Sequence, residues 1–145
     1  MTSLLERLKD GIRTQAAKHK NRSFLEATMA AAALVSQADG VVSLSERVRV
    51  DQILERLDQL KIYDPHLGVD LFNEVVDALT NAPAEGREMA LARIKPIAKD
   101  PEAAQLMIRI CCAISEADGD FSPAEKRTIE AICGALGVSF EDCLA

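Results

Sequence analysis

Two stretches of the chain, SQADGVVSLSE at residues 36–46 and SEADGDFSPAE at residues 115–125, are copies of one pattern. Each reads Ser-x-Ala-Asp-Gly-x-x-Ser-x-x-Glu. The Gly can end one helix in a left-handed conformation, and the second Ser with the Glu three residues later forms a capping box that begins the next helix. The pattern therefore predicts a helix, an acidic turn and a second helix, present twice.

The similarity between the two stretches extends along the chain at a constant offset of 79 residues, from 36 to 115, without a gap. The residues Ser36, Ala38, Asp39, Gly40, Ser43, Glu46, Ile53 and Leu57 meet identical residues at Ser115, Ala117, Asp118, Gly119, Ser122, Glu125, Ile132 and Leu136. We interpret this as an internal duplication. Because the offset is too long for a solenoid repeat, we expect one compact body whose halves are related by a pseudo-two-fold axis.

Helical periodicity and helix-start signals cover the rest of the chain. Further capping boxes are predicted at Ser3 with Glu6 and Ser23 with Glu26, and a capping side chain precedes a proline at Asp64-Pro65, Asp100-Pro101 and Ser122-Pro123. The signals predict helices at about 3–20, 23–38, 43–60, 64–80, 84–99, 100–116 and 122–136, with a short turn from Ser139 and a kink or end at Pro96. The fold class is all-α, a bundle of about seven helices.

The charge is distributed unevenly along the chain. The net charge is -6, but residues 1–25 carry six basic and two acidic side chains, so this segment is +4 and the remainder is -10. We predict a basic amphipathic N-terminal helix at 1–22 and a helical domain at 23–145, with halves at about 23–80 and 84–145. The basic residues Arg7, Lys9, Arg13, Lys18, Lys20 and Arg22 are candidates for docking on a partner or an anionic membrane surface, although packing against the domain is the alternative. The acidic body argues against a nucleic-acid partner.

Other signals exclude several classes of protein. The chain has no apolar run long enough to span a bilayer and no signal-peptide pattern, so we expect a cytoplasmic location. Its four cysteines form no CxxC pair, which predicts reduced and mostly buried thiols rather than disulfides or a zinc site. We find no catalytic motif and predict that the protein is not an enzyme.

The acidic turns are the candidate metal site. A carboxylate at a helix C-terminus faces the negative end of the helix dipole at a cost of about 0.3–1 kcal/mol, and helix capping does not explain why the chain places one there twice. The candidate ligands are Asp39, Glu46, Asp118, Asp120 and Glu125. Such oxygen donors suit a divalent cation, Ca²⁺ first, with Mg²⁺ or Mn²⁺ as alternatives. Two alternatives to an ion in each turn stay open. The turns could serve only to cap helices, or the two copies could share one ion.

Segments outside the turns add a family resemblance. With Lys20-Asn21-Arg22-Ser23-Phe24, Pro101-Glu102-Ala103-Ala104-Gln105-Leu106 and the two turns, the chain resembles the TerB family of tellurite resistance proteins over essentially its full length. The resemblance implies a compact all-helical fold in which Asp39, Glu46, Asp118 and Glu125 chelate metal. It also implies a cytosolic stress-response protein with a partner at the inner face of the membrane, where a TerC-like integral membrane protein and TerD-type proteins are the partners.

These observations lead to one functional hypothesis and one alternative. The hypothesis is a metal-responsive adaptor, in which an ion at the acidic turns fixes how the two halves pack and so controls docking on membrane-associated partners. The alternative is a purely structural protein-protein interaction module in which the same turns only cap helices.

Overall fold

The computed structural model describes residues 22–59, 65–119 and 121–144. This part of the chain forms seven α-helices and contains no strand. We label them α1 (Arg22–Ser36), α2 (Leu44–Gln59), α3 (Pro65–Asn81), α4 (Pro83–Ile94), α5 (Pro101–Ser115), α6 (Pro123–Leu136) and α7 (Phe140–Leu144). Two 3₁₀ helices, Lys95–Lys99 and Glu116–Asp118, follow α4 and α5. The predicted all-α fold is confirmed, whereas the helix predicted at 3–20 and its capping box lie outside the described residues.

Helices α1 and α5 form the centre of the molecule. Eleven of the fifteen residues in each helix are buried. Helix α1 packs against α3, α4, α5 and α6, and its alanines at 30–33 are fully buried, which lets these neighbours approach closely. The 79-residue offset takes α1 onto α5 and the start of α2 onto the start of α6. Each copy of the repeat therefore supplies one central helix, one acidic turn and one outer helix.

Most of the predicted helix boundaries are confirmed. The Asp100 carboxylate accepts a hydrogen bond from the Ala103 N–H at 3.2 Å and caps α5. Helix α4 ends at Ile94, and the chain continues as a 3₁₀ helix that contains Pro96. The proline removes a backbone donor and clashes with the preceding turn, so the α-helix cannot continue through it.

The capping box predicted at Ser23 is wrong. Ser23 already lies within α1, which includes Arg22. The Glu26 carboxylate instead pairs with the Arg22 guanidinium, with Nε and Oε1 3.2 Å apart, as residues four apart on a helix can do. Arg22 is the one predicted docking residue that the structure describes, and it is exposed.

Helices α3 and α4 meet at a junction shorter than predicted. The halves predicted at about 23–80 and 84–145 leave a junction over 81–83, but α3 continues to Asn81 and α4 begins at Pro83, so Ala82 alone joins them. Gly86 of α4 lies directly against the backbone of α3. A Cβ atom at this position would be 2.7 Å from the carbonyl carbon of Ala78 and 2.7 Å from the nitrogen of Leu79. The close packing of α3 and α4 therefore depends on a residue without a side chain at position 86.

Candidate metal centre at the acidic turns

The glycines of the two acidic turns have similar backbone φ angles. Gly40 has a φ of 99° and Gly119 a φ of 107°, values that residues with a side chain rarely adopt. The predicted left-handed helix end is wrong in detail, because α1 and α5 end at Ser36 and Ser115, four residues before the glycines. Gly119 instead follows the short 3₁₀ helix and has a ψ of -81°, outside the left-handed helical region. Val42 and Phe121, two residues after these glycines, pack against the core from partly buried positions. The turns thus hold the following helices at a fixed place on the body.

Both predicted capping boxes are formed at these turns. In the first, the Glu46 N–H donates to Ser43 Oγ at 3.0 Å and the Ser43 N–H donates to Glu46 Oε1 at 3.1 Å. In the second, the Glu125 N–H donates to Ser122 Oγ at 3.1 Å and the Ser122 N–H donates to Glu125 Oε1 at 2.9 Å. Capping therefore accounts for one carboxylate oxygen of each glutamate and fixes the side chain, because both ends of the box are held.

The second oxygens of the two glutamates face a different environment. Glu46 and Glu125 are 1% and 3% exposed, and their carboxyl groups are close enough to interact although 79 residues separate them. Glu46 Oε2 is buried and accepts no hydrogen bond from any described residue. Burial is the largest cause that raises the pKa of Glu46, and the contact with Glu125 adds to it, so that the pKa rises from 4.5 to about 8.

This carboxyl pair can hold a proton or a cation. Two buried carboxylates repel each other, and a proton on Glu46 removes the repulsion because its O–H can donate to Glu125. A divalent cation removes it as well, and carboxylate oxygens are the donors that Ca²⁺, Mg²⁺ and Mn²⁺ prefer. The unpartnered Glu46 Oε2 is a free donor for such an ion. The residues present therefore fit the predicted class of metal.

The structure does not bring all the predicted ligands together. Asp39 is exposed in the first turn, while the side chain of Asp118 and the whole of Asp120 lie outside the described residues. Within the described ranges, no group of three or more His, Cys, Asp or Glu side chains is placed to hold a metal ion. What the fold joins is Glu46 with Glu125, one from each copy, which is two of the five predicted ligands.

Two buried hydroxyls were missed by the sequence analysis. Ser36 and Ser115 are the last residues of α1 and α5 and the first of each acidic pattern, and both are fully buried. Neither Oγ has a hydrogen-bond partner among the described residues. The signal was present in the sequence, because an identical Ser ends an otherwise apolar stretch in both copies.

Comparison with known proteins identifies the family. The sequence model of the family described as "Tellurite resistance protein TerB" matches residues 25–145. The chain belongs to the TerB family. It is also similar to a protein of Alcaligenes sp named "Tellurium resistance protein TerB", with 28% identity over 96 residues that cover 66% of this chain and 79% of the relative. No solved structure gives a significant match. The described helices of this TerB-family chain include none that is long and apolar enough to cross a membrane.

The four cysteines of the TerB-family chain are free and buried, as predicted. Burial raises the pKa of Cys111 far above its ordinary value and raises the pKa of Cys112 and Cys133 to about 12. The reactive thiolate form is therefore strongly disfavoured at neutral pH. The positions one repeat earlier than these three, Ala32, Ala33 and Leu54, are fully buried core residues. Their packing role thus matches that of ordinary apolar side chains.

Proposed function

We propose that this TerB-family chain is a metal-responsive adaptor of a tellurite resistance or stress-response system. A divalent cation binds between Glu46 and Glu125 and replaces the proton that the pair otherwise holds. Asp39 lies in the first turn, and Asp118 and Asp120 belong to the second, so they are the further candidate ligands. Ca²⁺ is the first candidate, with Mg²⁺ and Mn²⁺ as alternatives.

The observation that carries this proposal is the contact between two buried carboxyl groups from different copies of the repeat. Capping alone needs one oxygen of each glutamate and gives no reason for the two side chains to meet. Bringing them together costs free energy, since burial and the mutual contact raise the pKa of Glu46 to about 8. A bound cation turns this unfavourable contact into a favourable one, which supports a binding role.

The position of the pair explains how an ion could alter docking. Glu46 lies in the first turn of α2 and Glu125 in the first turn of α6. An ion between them ties the two outer helices to each other, whereas a deprotonated pair without an ion pushes them apart. The surface formed by these helices then differs between the ion-bound and ion-free states. The membrane-associated TerC-like and TerD-type proteins that the family resemblance implies are the proposed partners.

Thermal unfolding of EDTA-stripped protein with Ca²⁺, Mg²⁺ or Mn²⁺ tests the ion site. An ion at about one hundred times its dissociation constant adds about 2.7 kcal/mol to the stability. For a chain of this size, that raises the Tm by roughly 5–10 °C. The double variant Glu46→Gln with Glu125→Gln should lose the rise and keep both capping boxes, because Gln can replace Glu in a capping box.

A second pair of variants separates a specific site from general charge effects. Glu26→Gln with Glu55→Gln removes the same number of negative charges from exposed or partly exposed positions on α1 and α2. This control should retain the full Tm rise. The double variant Asp39→Asn with Asp118→Asn tests whether the turn carboxylates are ligands. A smaller ion-induced rise in Tm for this variant would show that they contribute to binding. If no ion raises the Tm of the unaltered protein, or if the control loses the rise too, the ion site is refuted.

The alternative function is a structural interaction module without a metal. One observation favours it: both capping boxes are complete, so each glutamate has a structural role without any ion. On this alternative, Glu46 stays protonated at neutral pH and donates to Glu125. It predicts no ion-dependent change in Tm, so the same unfolding experiment distinguishes the two functions.

A further inference from the structure

The large apolar side chains that are exposed in the described part of the chain fall into two groups. Val41, Leu44 and Val48 are 73%, 77% and 45% exposed and lie at the end of the first acidic turn and the start of α2. Leu91, 41% exposed, lies on α4. Apolar side chains that gather on one part of a surface mark interaction sites, whereas single exposed ones are ordinary. The first group is such a gathering, whereas Leu91 is a single residue whose relevance lies in the groove that it lines.

Leu44 and Val48 of the first group belong to a stripe along α2, which we call the acidic stripe and define as Leu44, Val48, Asp51 and Glu55. These residues follow the first at intervals of four, seven and eleven, so they lie on one face of the helix. All four are exposed. Neither carboxylate forms an ion pair or hydrogen bond with a described residue. The stripe is apolar towards the start of α2 and negative further along.

Arg47 and Arg49 of α2 do not neutralise this stripe. Arg47 Nη1 donates to Asn73 Oδ1 at 2.9 Å, and its guanidinium lies 5.9 Å from the centre of the Phe72 ring. Arg49 Nη1 donates to the Ala113 carbonyl at 2.9 Å. Both side chains are thus held against other helices of the same chain. The negative charge of the stripe remains available to a partner.

The second group, Leu91, lines a groove between α4 and α6, which we call the arginine groove. Its volume is about 710 Å³. Its apolar lining includes Leu34, Leu79, Leu91, Ala124, Ala131 and Ala135. Its charged lining residues are Arg87 on α4 and Arg127 on α6, both exposed, and neither forms an ion pair with a described residue. The small residues along α6 leave room in the groove for another helix. Arg87 and Arg127 lie on the two sides of the groove.

The acidic stripe and the arginine groove are complementary in length and charge. The stripe runs over residues 44–55 and the lining of α6 over residues 124–135, which is about 17 Å of helix in each case. If α2 of one copy lies antiparallel to α6 of a second copy, the apolar end of the stripe packs on the alanines at 131 and 135 of that second copy. The carboxylates of the stripe then lie beside Arg127. This is the helix-in-groove mode of recognition, with charge pairs that fix the direction.

We propose that the chain forms a homodimer in which the acidic stripe of each copy lies in the arginine groove of the other. The groove reaches Gly40 and the stripe begins at Leu44, so both surfaces border the first acidic turn. A two-fold axis beside this turn allows both contacts to form at once and doubles the buried surface. The N-terminal segment is a poorer occupant of the groove, because residues 1–25 carry a charge of +4 and the groove is itself basic.

Sedimentation velocity on the full chain, over a series of concentrations, tests the dimer. The groove variant Arg87→Glu with Arg127→Glu and the stripe variant Asp51→Arg with Glu55→Arg each place like charges opposite one another. We expect each to weaken dimerisation by about tenfold or more, since like-charge juxtaposition costs several kcal/mol. An equimolar mixture of the two variants should recover the dimer, because every contact in the mixed dimer again joins opposite charges.

Matched controls exclude a general effect of charge or misfolding. Lys95→Glu with Lys126→Glu makes the same change in net charge as the groove variant at exposed positions outside the groove lining, and it should dimerise like the unaltered chain. Circular dichroism should show equal helicity for all variants, since every altered residue is exposed. A monomer at all concentrations, a dimer that both variants retain, or a mixture that stays monomeric overturns the proposal. A monomeric result would leave the groove to the N-terminal segment or to an acidic helix of another protein.

Discussion

Replacement of Glu46 by Gln is expected to stabilise the ion-free protein at neutral and alkaline pH and to flatten its stability profile. A carboxyl whose pKa is higher in the folded state than in the unfolded state binds protons more tightly when folded. Its contribution to stability is fully present below 4.5 and is lost as the pH rises through about 8. Each pKa unit corresponds to about 1.4 kcal/mol, so the unaltered protein should lose a few kcal/mol over this window.

The Gln side chain keeps the interactions that matter in the folded state. Its Oε1 can accept the hydrogen bond from the Ser43 N–H, and its amide can donate to Glu125 as the protonated acid does. Denaturant unfolding at pH 5, 7 and 9 with EDTA present measures the effect. Glu55→Gln on the exposed face of the same helix is the control and should keep the pH dependence of the unaltered chain. A profile for Glu46→Gln that falls as steeply as that of the unaltered chain would contradict the buried pair.

Replacement of Gly86 by Ala is expected to lower the stability by about 2–3 kcal/mol, because the new methyl group has no space. The Cβ would lie 2.7–2.8 Å from backbone atoms of Ala78 and Leu79, and a helix backbone cannot move aside as the end of a flexible side chain can. Helix α4 must then shift away from α3. For a chain of this size, the Tm should fall by roughly 5–10 °C.

Gly134→Ala is the matched control for this prediction. Gly134 lies within α6, is exposed, and a Cβ there meets no atom within 4 Å. Ala in a helix is favoured over Gly by about 0.5–1 kcal/mol, so this variant should be slightly more stable than the unaltered chain. Opposite signs for the two substitutions would establish the close contact of α3 and α4. A Gly86→Ala protein as stable as the unaltered chain would show that this contact is looser than described.

The sequence predicts the fold well because its signals are local and repeated. Each capping residue acts on backbone groups within three positions, so Asp100, Ser43 and Ser122 could be placed from sequence alone. The failure at Ser23 has the same origin. The capping pattern was present, but Glu26 has a competing partner in Arg22, and short-range patterns do not rank two local interactions of similar free energy.

The site could be predicted only in part, because its decisive contact joins distant parts of the chain. The duplication placed Glu46 and Glu125 at equivalent positions, and it left open whether an ion binds within each turn or between the copies. Only the packing of the two halves brings these carboxyl groups together. The raised pKa of Glu46 follows from that packing and from burial, so no local pattern in the sequence could indicate it.

The arginine groove could not be predicted from the sequence either. Its lining comes from α1, α3, α4 and α6, so no single stretch of sequence contains its pattern. The acidic stripe is different, because Leu44 and Val48 share a helical face with Asp51 and Glu55 in the sequence itself. An apolar pair on the polar face of an amphipathic helix is a readable signal for a second contact surface.

Isothermal titration of the EDTA-stripped protein with Ca²⁺, and then with Mg²⁺ and Mn²⁺, in buffers of different ionisation enthalpy measures binding and the protons released by it. An ion between Glu46 and Glu125 must displace the proton that Glu46 holds below a pKa of about 8. Saturable binding should therefore release about one proton near pH 6 and almost none near pH 10. The Glu46→Gln variant should release none. Absence of binding by all three ions, or binding with no proton release at any pH, would contradict a metal centre built on this pair.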